Sequence, residues 1–336
     1  MKVLFQVRQD YRKNPAGDTV QLLATAQALK NLGVQVFLSL NPKVQLEEYD
    51  LVHIFNATRV VDAAMYFENA KNQSKPIVVS PIYWNMAHYL KKVEMNSVAL
   101  EQWESYQPWR SQLLQDCDLL LPNGQAEMEE IQRDFQVTTP FKVIPNGFPQ
   151  EYLGIDGTYF REQCPGLPEK FVLSVARISS RKNQKWLAQC CQELSLTLVL
   201  AGPINEPKYF EEVQVYPNVI YLGTIQGRLL ASAYAAAKVH AMPSWFETPG
   251  LSSLEAGACG AVVLSTDQGC TEEYFQDMAV YMDPFEEKSL TPALEKALTF
   301  SPEPLTKHIQ KHYSWSRIGE MTLAAYKHVL VGSAHK

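Results

Sequence analysis

Short apolar runs alternate with amphipathic segments of helical period along the whole chain, and the alternation restarts once near the middle. In the first half, Lys2–Val7 predicts a strand, and Thr19–Leu32 a helix closed by Gly33. Val34–Leu40 predicts a second strand. Leu51–Phe55 and Ile77–Ser80 read as buried strands, and Leu119–Pro122 and Lys142–Ile144 complete the series. Strand and helix alternating at this spacing imply a parallel sheet covered on both faces. Pro145-Asn146-Gly147 is a turn signal, followed by an irregular stretch containing Gly and Pro that reaches Pro168. A domain boundary is expected there. Beyond it the strands are Phe171–Ala176, Leu196–Ala201, Val219–Leu222, His240–Met242, Ala261–Ser265 and Ala279–Met282. Helices are expected between them, notably Gln184–Glu193, Arg228–Ala237, Leu251–Cys259 and Leu290–Leu298, and an amphipathic helix from Trp315 to Val331 ends the pattern. The halves share an architecture and no sequence repeat.

A length of 336 residues makes two domains the default, and the 46% apolar content is enough to fill two cores. The net charge of −6, with signs mixed along the chain, argues against a nucleic-acid binder, which would carry a basic stripe. The six cysteines show no regular spacing and no Cys-x-x-Cys pair, which suits a reducing compartment. Gln6 and Arg8 break the first apolar run too early for a signal peptide, and no stretch has the length of a membrane span. A cytoplasmic protein is expected.

The chemistry concentrates in Phe246-Glu247-Thr248-Pro249-Gly250-Leu251-Ser252-Ser253-Leu254-Glu255-Ala256, where two carboxylates flank a Pro-Gly turn that opens a helix. The first helical N–H groups, at Gly250 and Leu251, have no partner inside the helix and can point at an anion. Glu247 and Glu255 repel phosphate but can accept hydrogen bonds from vicinal hydroxyls. One anion site between two hydroxyl acceptors suits a nucleoside-diphosphate sugar. Without a ligand, the same segment is a helix start with a stabilising acid in its first turns. Two more strand-end loops belong with it. Arg177-Ile178-Ser179-Ser180-Arg181-Lys182 offers cations that can neutralise a diphosphate, or a solvated charge cluster. Gly223-Thr224-Ile225 offers exposed backbone for a base edge, as any Gly after a strand could.

The ordered set Val175-Ala176-Arg177…Lys182, Leu200-Ala201-Gly202, Tyr221-Leu222-Gly223, Pro243-Ser244…Glu247…Glu255-Ala256…Cys259-Gly260 resembles the C-terminal half of the retaining glycosyltransferases of family four. The resemblance covers roughly 150 residues strongly and nearly the whole chain more weakly. It implies an α/β protein of GT-B fold: two Rossmann-like domains facing a central cleft, residues 1–147 with a C-terminal helix (315–336) crossing back to them, and residues 148–314 binding the nucleotide sugar. By the resemblance, Arg177 and Lys182 bind the diphosphate and Glu255 the ribose hydroxyls. Glu247 holds the transferred sugar and is grouped with Arg177 and Lys182 as catalytic. Pro249, Gly250 and Leu251 bring the helix start to sugar and phosphate, and Ile225 packs the nucleobase. Ala176 and Asn183 stand where relatives usually have Gly; neither change removes a charge.

In the first half, relatives usually carry a Gly pair after the first strand, near the donor phosphate. Here Ala16-Gly17 keeps one Gly, with Asp18 or Thr19 as helix cap, so Gly17 is a candidate donor contact. Many relatives have a His after a later strand; this chain reads Ser80-Pro81-Ile82-Tyr83-Trp84-Asn85, where Tyr83 or Asn85 could donate instead. His53 reads as a satisfied strand residue. Trp84, Tyr89, Trp103, Tyr106 and Trp109, interleaved with Lys91, Lys92 and Arg110, suit a carbohydrate platform, a transient membrane-surface contact or simply buried core.

The implied reaction moves a hexose, glucose from UDP-glucose as the leading choice, to a saccharide or lipid-linked saccharide in glycan biosynthesis. With both acids assigned to hydroxyls, a double-displacement pair of carboxylates is missing, and front-side attack with retention is expected. No resident cofactor is expected. With two cations and a helix terminus available to the diphosphate, no metal is expected. The competing readings are an epimerase or phosphorylase-like enzyme on the same fold and a non-catalytic nucleotide-sugar binder.

Overall fold

In the computed structural model, which describes residues 1–286 and 288–333, the chain divides into two compact units. The first comprises Met1–Asn146 and the C-terminal segment from Trp315, the second Gly147–Ser314.

The first unit carries β1 (Lys2–Gln6), α1 (Gly17–Asn31), β2 (Gln35–Leu38), β3 (Leu51–Phe55), α2 (Val60–Asn72) and β4 (Ile77–Ser80). It continues with α3 (Ala87–Lys92), α4 (Ser97–Ser105), α5 (Gln107–Asp116), β5 (Leu119–Leu120) and α6 (Gln125–Phe135). The sheet is parallel, in the order β2-β1-β3-β4-β5. Its central strands β3 and β4 are buried at every position, as apolar runs covered by helices on both faces must be. His53, inside β3, is satisfied by the Tyr326 hydroxyl at 2.5 Å and Ser80 Oγ at 2.9 Å, and burial pushes its pKa down to about 3, leaving it neutral. The C-terminal helix (Trp315–Ser333) packs along α1, where a Cβ on Gly319 would come within 2.7 Å of Ala28 Cβ. Glycine is what allows the two backbones to approach. Residues 334–336 of the expected C-terminal segment lie outside the described residues.

Two expectations change here. Lys142–Ile144 is no strand: between Pro140 and Pro145, Lys142 N donates to the Leu120 carbonyl of β5 and Ile144 N to that of Pro122 beyond it, and the one bridge there joins Leu120 to Phe141. Neither Asp18 nor Thr19 is the helix cap. The cap position is Ala16; Thr19 Oγ1, three residues in, accepts from the Ala16 N–H at 3.3 Å. Asp18 is engaged by Arg8, which is 2% exposed and donates to it through Nε at 2.6 Å and Nη2 at 2.9 Å. Arg8 Nη1 also reaches Asp10 at 2.7 Å, and Asn56 Nδ2 donates to Asp18 at 2.8 Å. This network sits where the strand order reverses, beyond the carboxyl ends of β1 and β3.

The second unit carries α7 (Thr158–Gln163), β6 (Val172–Val175), α8 (Gln184–Glu193), β7 (Leu198–Ala201), α9 (Pro207–Gln214), β8 (Val219–Tyr221) and α10 (Gly227–Ala236). There follow β9 (Val239–Met242), α11 (Leu251–Ala258), β10 (Val262–Thr266), α12 (Thr271–Phe275), β11 (Val280–Met282), α13 (Leu290–Thr299) and α14 (Glu303–His312). All six strands are parallel, in the order β11-β10-β9-β6-β7-β8. Alternate residues serve opposite faces: Val172, Leu198 and Leu200 join the core under α8 and α13, Leu173 and Val199 the core under α7 and α10. The stretch expected to be irregular up to Pro168 holds α7, anchored by the fully buried Phe160, whose N–H donates to Ser232 Oγ at 2.8 Å. Here the order reverses between β6 and β9, and open α/β sheets bind ligands at the carboxyl ends of such strands.

Asp18→Asn leaves the buried Arg8 short of charge and should cost about 3 kcal/mol in urea unfolding at neutral pH. Although burial works in the other direction, Arg8 and Asn56 hold the Asp18 pKa below its usual value. Its contribution is therefore complete above the unfolded pKa of about 4 and lost as pH falls through the lower folded value. The Asn variant should show correspondingly weaker acid dependence.

Candidate active site

Two loops leave the sheet at the reversal and are sewn together. The loop after β6 runs through Arg177 into a 3-10 turn, Ser180–Lys182, and enters α8 through Asn183 at φ +57°. Asn is among the few side chains that take this left-handed conformation cheaply, which suits Asn183 to the position. The loop after β9 ends at Gly250, the cap of α11, at φ +84°. Trp245 N donates to the Arg181 carbonyl at 3.1 Å, and Arg181 Nη1 donates to the Phe246 carbonyl at 2.9 Å. From the other side, Cys270 N donates to the Glu247 carbonyl at 3.0 Å, over a glycine, Gly269, whose Cβ would lie 2.0 Å from that oxygen.

The sewing brings Lys182 Nζ and Glu247 Oε1 into a buried ion pair, with side chains 11% and 7% exposed. Burial alone would raise the Glu247 pKa; Lys182 and Arg181 outweigh it and hold the carboxylate ionised. Lys182 is pushed down, first by burial, then by the charges of Arg181 and, more weakly, Arg177, against the pull of Glu247. The other Glu247 oxygen faces the helix start: a Cβ on Gly250 would stand 3.4 Å from Oε2. The first internal bonds of α11 run from Ser253 and Leu254 to the Gly250 carbonyl, so the N–H groups of Leu251 and Ser252 precede them. Cations, a carboxylate and a helix start thus share one strand-end crevice within this unit.

Glu255 lies about one turn further along α11, half-buried, and accepts from the Tyr234 hydroxyl at 3.0 Å. Burial pushes its pKa up to about 7. One carboxylate oxygen, Oε2, is thereby held by the protein. Below the helix start, His240 is fully buried, with its Nδ1 3.5 Å from Ser253 Oγ and the Tyr234 ring set edge-on at 5.6 Å. Its pKa is pushed down to about 3 by burial, so it supports the helix as a neutral ring.

Lys182, Glu247, Pro249, Gly250 and Leu251 therefore meet, with the field of Arg177 reaching Lys182. Ile225, after β8, packs with Leu222 and Leu229 on the core that holds Tyr152 and Tyr234. Gly17 is exposed in the first turn of α1, in the other unit. Tyr83 cannot stand in for a histidine: it is fully buried, with its hydroxyl on Asp134 at 2.8 Å. Asn85 also donates to Asp134, at 2.9 Å, and is only partly buried. Of the aromatic residues, Trp103 and Tyr89 are buried, while Trp109 is 46% exposed. Arg181 and Tyr234 escaped the sequence reading. Arg181 sat in plain view beside Lys182, but nothing local marks its bond to a carbonyl 65 residues away. Tyr234 follows the apolar period of α10 and looks like core.

Residues 169–299 match the family model described as Glycosyl transferases group 1. The D-inositol 3-phosphate glycosyltransferase of Corynebacterium jeikeium is 29% identical over 208 residues, 54% of this chain and 50% of that protein. The chain spans about half the length of the curated relatives it matches first. Sucrose-phosphate synthase from Thermosynechococcus elongatus superposes with a TM-score of 0.82 at 16% identity, covering 99% of this chain and 100% of that one. Anabaena HepE, solved in complex with UDP and glucose, gives 0.72 at 19% identity, covering 97% and 99%. The fold is GT-B, and residues 169–299 of the second unit are similar to group 1 glycosyltransferases.

Lys182→Met strands the Glu247 charge and should cost about 3–5 kcal/mol of stability. Adding Glu247→Gln should restore much of that loss. A double-mutant cycle by thermal unfolding reads the coupling, and additive losses would show that the pair is not an energetic unit.

Proposed function

We propose that the chain is a retaining, metal-independent hexosyltransferase that moves glucose from UDP-glucose to a hydroxyl of a saccharide or lipid-linked saccharide in glycan biosynthesis. The observation that carries the reading is the buried Lys182–Glu247 pair at the start of α11, with two arginines beside it. Lys182, Arg177 and the N–H groups at Gly250 and Leu251 take the diphosphate. Glu247 accepts from hydroxyls of the transferred sugar, and Glu255 from the ribose diol. Ile225 packs the base. The similarity to group 1 glycosyltransferases and a structural neighbour solved with UDP and glucose support the donor class.

As the bond from the anomeric carbon to the β-phosphate oxygen breaks, negative charge grows on that oxygen. The same oxygen takes the acceptor's proton while the new bond forms on the same face. The protein's part is to stabilise the growing charge with donors already in place, and each such donor is worth about 3 kcal/mol, on the order of a hundredfold in rate. Two cations and a helix start supply what a divalent ion would. Among the described residues no group of three or more His, Cys, Asp or Glu is arranged to hold a metal.

A cytoplasmic enzyme touching the membrane transiently fits the first unit, where Met95 and Val98, 80% and 74% exposed, adjoin Lys91 and Lys92 at the turn between α3 and α4. Among the described residues no helix is long and apolar enough to cross a membrane.

A screen of nucleotide sugars should give acceptor-dependent release of UDP from UDP-glucose, unaffected by chelator. Arg177→Ala and Glu255→Ala should each lower kcat/KM by about a hundredfold. Unchanged turnover in both variants sinks the site assignment. Release of UDP without transfer would favour an epimerase, and UDP binding without turnover on any acceptor a binding protein. The Glu255 carboxyl, titrating near 7, must be ionised to accept from both ribose hydroxyls. The donor KM should therefore rise severalfold as pH falls from about 8 to about 6, and Glu255→Gln should flatten that rise.

A further inference from the structure

The first unit contains a cavity of about 430 Å³ beside the start of α2. Val60, Met86, Leu90 and Trp103 line it with apolar surface, and Arg110 lines it with charge. Arg110 is 2% exposed, yet every acceptor it reaches is neutral. Nε donates to the Ala57 carbonyl at 3.1 Å and Nη2 to that of Thr58 at 2.9 Å. Nη1 reaches the Trp103 carbonyl at 3.0 Å and Gln107 Oε1 at 3.5 Å. Among the described residues no carboxylate pairs with it, in contrast to Arg8, which holds two. Its charge is instead stacked on the Trp103 ring, 3.6 Å from the centroid. A buried charge with no counter-charge is costly and is rarely kept without a purpose.

A second orphan points the same way. Trp103 is 5% exposed, and its indole Nε1–H has no acceptor. At the same wall, α2 begins with Arg59 in the cap position and no side-chain cap, so the N–H groups of Val60 and Val61 come before the first internal bonds. The one acid in the lining, Asp62, already accepts from the Gln9 N–H at 2.9 Å. Arg110, Trp103 and the start of α2 all line this one cavity, and the ligand group such a lining suits is an oxyanion with several oxygens. The rest of the cavity is aliphatic, and apolar surface continues outward: Val61 lines the cavity while 41% exposed, and Val98, beside the lining Ala99, is 74% exposed.

We infer that this cavity binds a phosphate ester carried on an aliphatic or isoprenoid chain, with the phosphate held by Arg110, Trp103 and the start of α2 and the chain laid along Val60, Met86 and Leu90. As a binding site it stands independently of the donor assignment; as the carrier of a lipid-linked acceptor it rests on the glycosyltransferase reading. Burial lowers the Arg110 pKa to about 10, so the guanidinium keeps its charge at neutral pH.

Calorimetry on the full chain should compare farnesyl phosphate, kept below its micellar concentration, with farnesol and with inorganic phosphate. The expected result is farnesyl phosphate binding at least about tenfold tighter than either part alone, since charge-assisted bonds and chain burial add. Ala99→Phe, which fills the cavity, should abolish that binding, and Trp103→Phe, which keeps the stacking but removes the N–H, should weaken it severalfold. Arg110→Met should also lose it, and the other two variants keep the test open if that protein fails to fold. Farnesyl phosphate binding no tighter than farnesol, or binding indifferent to Ala99→Phe and Trp103→Phe, overturns the inference. UDP titrated into the same samples should bind equally in wild type and variants. Loss of UDP binding with farnesyl phosphate binding intact would count against the donor site alone.

Discussion

The buried contact between Lys182 and Glu247 is the constraint around which the second unit's site is arranged. A lysine and a glutamate taken out of water stay ionised only if each supplies what the other lost, so both loops must hold their positions. Arg181 enforces this through backbone, donating to the Phe246 carbonyl while its own carbonyl receives the Trp245 N–H. The loops come from β6 and β9, neighbours in the sheet though separated by two strands in sequence, because the strand order reverses between them. Two cations, Lys182 and Arg181, act on one carboxylate, Glu247, at this edge, and the field of Arg177 reaches Lys182.

The two units treat the same topological feature in opposite ways. In the first, the carboxyl ends of β1 and β3 are closed by Arg8, Asp18, Asp10 and Asn56, a network that satisfies its own charges. In the second, the matching edge joins a buried Lys182–Glu247 pair to the start of α11, where the first internal bonds begin only at Ser253 and Leu254. Both sheets obey one rule about where loops converge, and side-chain chemistry decides whether the convergence becomes a brace or a binding site. Gly17 sits at the start of α1 beside such a brace, so the loop before it is fixed by Arg8 through the Asn14 carbonyl at 2.7 Å, not by glycine flexibility.

Legibility followed the range of the physics. Strands β3 and β4 were read to the residue, because a run buried on both faces carries its signal in consecutive positions. The Glu247–Glu255 segment was legible because a Pro-Gly helix start with acids at both flanks is local chemistry. The network of Arg8 was not, since Asp18 looked like a helix cap and only the fold brings Asn56 to it. The same holds for Tyr234 on Glu255, and for Lys142–Ile144, whose apolar pattern says strand while its flanking prolines limit the ladder. Contacts set by topology leave no mark on sequence spacing.

Three arginines show how charge accounting separates structure from function in this chain. Arg8 is buried against two acids, its bonds stay inside the first unit, and removing it would be felt as lost stability. Arg181 braces a loop through a carbonyl, and its charge also biases Glu247 toward ionisation. Arg110 is as buried as Arg8 but reaches only carbonyls, an amide and an indole face. Neutral acceptors orient a guanidinium without cancelling its charge, so this arginine carries an uncompensated positive charge beside an apolar cavity. Arg110 also caps the Ala57, Thr58 and Trp103 carbonyls, bonds that an uncharged donor would satisfy at lower desolvation cost. The difference between Arg8 and Arg110 is therefore one of counter-charge, which for Arg8 is two acids and for Arg110, under the inference above, a bound anion.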